Sequence, residues 1–240
     1  MNDFRNGVIG ANADTELGLK SFMLGTYRWM ALAMLVTAGV AYGFGTYVLT
    51  PEIAQMLFGN VIVALMIVGG IMLAFGTVGR KLPTMSMGGV VTFLFAMAAF
   101  LGILGSTIVF RDPTIVAKVF FMTVALFGGL SMFGYTTKTD LTPYFKFAAI
   151  GFAVFVGYML LSMAIPAIAP TGMMQTVIFG GAVLLLSVIV AGKTQMLKGI
   201  YYSLGNDESM LNKYSAYGAA MLLLSFYNMF QLLMALFGRD

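Results

Sequence analysis

The chain has 240 residues, of which 60% are hydrophobic and 9% are charged. Soluble domains carry roughly 25% charged residues, so a water-soluble fold would leave too much apolar surface in water. The mean hydropathy of +0.94 therefore indicates an integral membrane protein, with about six to eight spans at about 20 apolar residues each. The net charge of +4 predicts no nucleic acid partner and fits contact with anionic membrane lipids.

Seven apolar runs predict seven transmembrane helices in a single domain over residues 27–237. A cytoplasmic segment, 1–26, precedes this domain, and a short external C-terminus, 238–240, follows it. Gly39 and Gly43 have the GxxxG spacing that favours close helix contact. Asp112 and Pro113 are typical of a helix cap and a first helical residue. The predicted spans lie near 27–49, 61–78, 85–110, 113–135, 143–166, 171–192 and 214–237, with a polar link between the last two.

The distribution of basic residues predicts the orientation. With seven spans, ten of the 13 Lys and Arg residues fall on the side of the N-terminus and three on the other side. Because basic residues are concentrated in cytoplasmic loops, we expect a cytoplasmic N-terminus and an external C-terminus. Residues 1–20 lack the apolar core of a cleavable signal peptide. These features favour the bacterial inner membrane, and a mitochondrial protein with a removed leader is the alternative.

The apolar runs contain no acidic residue, and the chain has no His or Cys. Proton relays and cation sites in membranes usually depend on a carboxylate, and hydrolysis needs a base or a metal. We therefore predict no enzymatic activity, no metal site and no cofactor. A pair of Ser225 with Lys193 as its base is the formal alternative, which the reach of Lys193 to the interface disfavours.

Lys193 is the first charge after the sixth apolar run, and we expect it to face the seventh run near Ser225. There it could donate to Ser225, to Asn228 or to a helix-end carbonyl. The alternative is that Lys193 extends into cytoplasmic water, as long basic side chains near helix ends often do.

Three segments together resemble the Bax inhibitor family, also called YccA-like or transmembrane Bax inhibitor motif proteins. They are 133–141 (FGYTTKTDL), 191–198 (AGKTQMLK) and 224–230 (LSFYNMF). The resemblance implies a seven-helix bundle whose last helix is enclosed by the other six. The residues that match the signature loop of this family are Gly134, Tyr135, Thr136, Thr137, Lys138 and Asp140.

Some bacterial members of this family are described as pH-sensitive calcium leak pathways, in which one Asp on the sixth helix and one on the seventh share a site. Two such carboxylates raise the pKa of one of them toward neutrality. The matching positions here are Lys193 and Ser225, so both carboxylates are replaced. A lysine at this point raises an electrostatic barrier to cations. Asn228 and Gln231 add polar groups to the last helix.

The last motif is most similar to the YccA branch, whose members are associated with the membrane-anchored protease FtsH and with stress control. We therefore predict a non-enzymatic membrane protein that acts by helix contact with another membrane protein, in stress response or membrane-protein quality control. One alternative is an ion leak channel, active in ion homeostasis, whose gating is altered or lost through Lys193 and Ser225. A purely structural lipid-packing role is a further alternative.

Overall fold

The computed structural model describes residues 2–205 and 207–238, with side chains from residue 15 onward. Helix is the only regular secondary structure in these residues. Two short 3-10 turns, Ser106–Phe110 and Pro166–Ile168, lie between helices. The helices are α1 (Asn2–Tyr47), α2 (Pro51–Phe58), α3 (Val61–Lys81), α4 (Met87–Leu104), α5 (Pro113–Thr136), α6 (Thr142–Ala164), α7 (Gly172–Leu204) and α8 (Glu208–Phe237).

Seven helical segments of the described chain are long and apolar enough to cross a membrane. They are α1 from Thr15 onward, α4 together with the 3-10 turn that follows it, and the whole of α3, α5, α6, α7 and α8. Helix α2 has only eight residues and does not qualify. The predicted all-α membrane fold with seven spans is confirmed.

Side-chain caps begin several helices where the sequence predicted helix starts. Asp112 Oδ1 accepts a hydrogen bond from Thr114 N at 2.7 Å, and Pro113 is the first residue of α5. Ser86 Oγ accepts from Gly89 N at 3.2 Å at the start of α4. Each cap satisfies a backbone donor that the first helical turn leaves without a partner.

The predicted polar link after the sixth span is wrong over most of its length. Helix α7 continues to Leu204, and α8 begins at Glu208. Lys, Thr and Gln are compatible with helix, no proline occurs between Lys193 and Gly205, and the helix passes through Gly199; it ends at Gly205, whose φ of +60° favours glycine. Lys193 therefore lies inside a helix, about three turns before its end.

Helix α1 passes through Tyr27 without a break, and its membrane-crossing stretch begins at Thr15. The first helix therefore begins well before the predicted span 27–49. The assignment of residues 1–26 to the cytoplasm stays a prediction. Residues 239 and 240 of the predicted external C-terminus lie outside the described residues.

Helix α8 forms the centre of the bundle. It packs against α1, α4, α5 and α7, and Ala219, Leu222 and Met229 are completely buried along it. Helix α6 packs mainly on α7 and also contacts α3. The enclosure of the last helix by all six others is therefore not confirmed.

The GxxxG pattern of α1 makes no close contact with the described part of the chain, contrary to expectation. A Cβ at Gly39 or Gly43 would meet no atom within 4 Å. The close approach of α1 and α4 occurs instead at Gly102, where a Cβ would lie 2.7 Å from Thr37 O. Thr37 Oγ1 also donates to Ala98 O at 3.0 Å, so this crossing fixes α1 against α4.

Candidate functional site

Lys193 on α7 contacts Ser225 on α8, which confirms the predicted contact. Lys193 Nζ donates to Ser225 Oγ at 2.7 Å and to Met221 O at 3.2 Å. Ser225 is buried, with 1% of its surface exposed, and Lys193 is partly buried. Among the described residues, no carboxylate is a hydrogen-bond partner of Lys193, so its ammonium is held by neutral oxygen atoms.

The backbone of α8 explains why two acceptors meet the ammonium. Met221 precedes Ser225 by one helical turn, and Ser225 Oγ donates to Met221 O at 3.1 Å. The hydroxyl thus has a carbonyl acceptor for its own proton and presents a lone pair to Lys193. This arrangement makes Lys193 a donor that joins α7 to α8.

The signature loop at the C-terminal end of α5 lies against the same part of α7. A Cβ at Gly134 would overlap Ala191 O, so only glycine permits this approach of the two helices. Further along α7, Lys198 Nζ donates to Tyr135 O at 3.0 Å and lies 5.5 Å from the centre of the Tyr135 ring. Lys198 therefore satisfies a carbonyl that the last turn of α5 leaves without a helical partner.

Gln195 holds the loop that connects α5 to α6. Its Nε2 donates to Thr139 O at 2.7 Å, and its Oε1 accepts from Leu141 N at 2.7 Å. A single side chain thus fixes two backbone groups on either side of Asp140.

The three segments that carry the family resemblance therefore meet around one stretch of α7. Ala191, Gln195 and Lys198 contact the segment 133–141, and Lys193 contacts the segment 224–230. The sequence reasoning did not identify Gln195 or Lys198 as contact residues. Gln195 follows Ala191 by four residues and Lys198 follows Gln195 by three, which was a usable signal, because residues at these intervals share one helix face.

The other signature residues shape the loop through local hydrogen bonds. Asp140 Oδ1 accepts from Thr142 N at 2.9 Å at the start of α6. Hydrogen bonds from the side chain and the backbone of Thr142 lower the pKa of the Asp140 carboxyl below its ordinary value. Thr136 Oγ1 donates to Met132 O at 2.9 Å, and Lys138 is exposed.

Asn228 and Gln231 do not join the contact between Lys193 and Ser225. Gln231 Nε2 donates to Tyr227 Oη at 2.8 Å, and the described residues offer Asn228 no hydrogen-bond partner. A step of three residues turns the helix surface back by roughly 60°, so the polar residues 225, 228 and 231 drift around α8. The predicted polar set is therefore spread over different faces.

A groove between α1 and α5 has α8 as its floor, and it contains two cavities. The first, of about 580 Å³, lies towards Lys20 and Tyr135. The second, of about 800 Å³, lies towards Arg111 and Gln231. Both are lined almost wholly by apolar side chains, and they share Ala31, Met34 and Phe226. Neither Lys193 nor Ser225 lines either cavity.

Comparison with known proteins gives full-length matches. The chain is 31% identical to an uncharacterized protein of Caulobacter vibrioides, over 99% of this chain and 98% of that protein. It is 30% identical to the inner membrane protein YbhL of Escherichia coli, over 92% of each chain. It is also 30% identical to the protein RP147 of Rickettsia prowazekii, over 95% of this chain and 93% of that protein.

The family model described as "Inhibitor of apoptosis-promoting Bax1" matches residues 19–240. This match includes all seven spans in part or whole and all three segments that meet at α7. The resemblance read from those segments is confirmed, and the chain is a multi-pass membrane protein that belongs to the Bax inhibitor family.

Proposed function

We propose that this chain is a non-conducting protein of the bacterial inner membrane that acts by helix contact with another membrane protein. The observation that carries this proposal is the pair of hydrogen bonds from Lys193 Nζ to Ser225 Oγ and Met221 O, at 2.7 and 3.2 Å. Lys193 and Ser225 occupy the two positions at which the family resemblance implies a titrating carboxylate pair. The ammonium of Lys193 repels calcium there, and a serine does not titrate near neutral pH.

The packing of α3 supports a role in protein contact. No residue of α3 is buried, and its Met66, Met72 and Leu73 are more than 60% exposed. A Cβ at Gly69 or Gly70 would meet nothing within 4 Å. Small residues on an open face let a second helix approach closely in lipid, so α3 is the face that we assign to a partner. By family analogy, the partner is a membrane complex of the FtsH type.

The experiment for the non-conducting part is calcium flux into liposomes that contain the purified chain. We expect the wild type to pass no more calcium than empty liposomes between about pH 6 and pH 8, the range in which a coupled carboxylate pair titrates. The variant that carries both Lys193→Asp and Ser225→Asp is expected to admit calcium. Flux through the wild type would overturn the proposal and favour a leak channel with altered gating.

The experiment for the contact part is isolation of the tagged chain in mild detergent. We expect Gly70→Phe to lose a partner that the wild type retains, because the ring obstructs the open face of α3. Gly157→Phe on α6 is the matched control, since a Cβ at Gly157 also meets nothing within 4 Å. Equal recovery of the partner with both variants would contradict the assignment to α3.

A further inference from the structure

The cavity at the Lys20 end of the groove contains a buried hydroxyl group, that of Ser131, which has no hydrogen-bond partner among the described residues. Ser131 on α5 lines this cavity and is 5% exposed. Its hydroxyl is the buried side-chain group that lacks a hydrogen-bond partner within the described residues. A buried hydroxyl without a partner is unfavourable, so an acceptor from outside the chain would stabilise it.

The lining of the cavity specifies the rest of the ligand. Met23, Met30 and Phe127 make its walls apolar, so the body of the ligand is a hydrocarbon. Its volume of about 580 Å³ lies within the range of sites that take a small ligand. Apart from Lys20, Ser131 and two tyrosines, the side chains that line this cavity are apolar, so the charged headgroup stays at the membrane surface.

Charge at the mouth selects the headgroup. Lys20 lines the cavity at this end and is exposed. Lys198 lies against Tyr135, another residue of the lining. No acidic residue lines the cavity, although Glu16 is one helical turn from Lys20 on α1. The cationic side chains at the mouth favour a headgroup of net negative charge over a zwitterionic one, in which a cationic group accompanies the phosphate.

The depth of Ser131 agrees with this arrangement. Ser131 lies five residues, or about 7.5 Å, before the end of α5 at Thr136. The polar region of a bilayer is about 5–8 Å thick on each side of the hydrocarbon core. Ser131 therefore lies near the boundary where the ester carbonyls of a phospholipid meet the acyl chains.

We propose that this cavity is a binding site for an anionic phospholipid of the adjacent leaflet. One acyl chain fills the space between α1 and α5, an ester carbonyl accepts the hydrogen bond of Ser131 Oγ, and the phosphate lies near Lys20. The second cavity is not assigned such a role, because Arg111 there donates to Gly238 O at 3.3 Å and Gln231 is paired with Tyr227. This inference does not depend on the proposed function.

The test is native mass spectrometry of the full chain taken from vesicles with equal amounts of phosphatidylglycerol and phosphatidylcholine. We expect the wild type to retain phosphatidylglycerol about fivefold over phosphatidylcholine, the factor that one lysine contributes at an anionic surface. Lys20→Gln should abolish this preference. Lys138→Gln is the matched control, because Lys138 is exposed at the same end and does not line the cavity.

Two further variants separate the cavity from general surface charge. Gly128→Leu fills the cavity and should reduce retention of both lipids, whereas Gly129→Leu should not, because Gly129 is not part of the lining. Neither glycine has an atom within 4 Å of an added Cβ, so both variants should fold. Ser131→Ala removes the unpaired hydroxyl and should reduce retention of phosphatidylglycerol without loss of thermal stability.

Two results would overturn the proposal. If Lys20→Gln and Lys138→Gln reduce the preference equally, the lipid is attracted by surface charge alone. If Gly128→Leu retains as much lipid as Gly129→Leu, no acyl chain occupies the cavity. Should Gly128→Leu fail to fold, the comparison of Lys20→Gln and Ser131→Ala with Lys138→Gln decides the question.

Discussion

Gln195 and Leu141 are joined across 54 residues of sequence by a hydrogen bond of 2.7 Å from the amide of Leu141 to Gln195 Oε1. The same side chain donates to Thr139 O. Since Lys193, two residues earlier, contacts Ser225, a single stretch of α7 joins the signature loop to the central helix. The conformation of that loop is thus coupled to the position of α8.

Removal of Gln195 should loosen the loop without unfolding the bundle. We expect Gln195→Ala to raise hydrogen exchange of the Leu141 amide by roughly tenfold, since about 1.4 kcal/mol of local stability is lost with the two bonds. Gln195→Glu keeps the acceptor for Leu141 and should have a smaller effect. Hydrogen exchange of the peptide around 137–145, measured by mass spectrometry, tests this expectation. Lys138→Ala is the control variant. Equal exchange in Gln195→Ala and the control would contradict it.

The contact between Lys193 and Ser225 should respond unequally to loss of its two partners. Ser225→Ala leaves the ammonium with one acceptor, and we expect the free energy of unfolding to fall by about 1–3 kcal/mol. Lys193→Met removes a charge from the protein interior and keeps its volume, so stability should be unchanged or higher.

Thermal unfolding in detergent measures both effects. Ser187→Ala is the control, because Ser187 Oγ donates only within α7, to Val183 O. A greater loss of stability from Lys193→Met than from Ser225→Ala would show that the charge itself stabilises the bundle.

Replacement of Gly134 by any larger residue, even alanine, should destabilise the protein. Gly134→Ala places a methyl group on the carbonyl oxygen of Ala191, and separation of the two backbones should cost about 1–3 kcal/mol. Gly129→Ala on the same helix has open space around its Cβ, and it should be neutral or stabilising by up to about 1 kcal/mol. Unfolding temperatures of the two variants give the comparison, and similar values would be inconsistent with a close crossing at Gly134.

The hydrogen bond from Thr142 N to Asp140 Oδ1 should give the start of α6 a dependence on pH. The hydrogen bonds from Thr142 lower the pKa of this carboxyl from its ordinary value of 3.8. This hydrogen bond therefore contributes its full stabilisation above that ordinary pKa, and the stabilisation is lost as pH falls through the lower pKa of the folded state. Exchange of the Thr142 amide, corrected for its intrinsic pH dependence, should rise only in that acidic range. Asp140→Asn should remove the dependence, and a rise at neutral pH would argue against it.

The predicted orientation can be tested directly, because the chain has no cysteine. A membrane-impermeant thiol reagent should label Ala167→Cys, in the turn between α6 and α7, in cells whose inner membrane is intact. Lys138→Cys, in the loop between α5 and α6, should react only after that membrane is opened. The opposite pattern would reverse the orientation that the basic residues predict.

The sequence determined the class of the protein and the number of its membrane-spanning helices, because these depend on local properties. A backbone in lipid must form its own hydrogen bonds, so each long apolar run becomes a helix. The helix start at Asp112 was likewise predicted from two adjacent residues, Asp112 and Pro113. The end of α7 could not be predicted in this way, since Lys193, the first charge after the sixth apolar run, marks a change of polarity and not the end of the helix, which continues to Leu204.

Tertiary structure decided which faces of these helices meet. The family resemblance placed Lys193 opposite Ser225, but apolar periodicity alone does not give the rotation of one helix against another. The partners of Gln195 and the unpaired hydroxyl of Ser131 depend on where α5, α7 and α1 cross. These crossings arise from packing between segments far apart in sequence, at close contacts such as Gly134 with Ala191, and so only the folded bundle defines them.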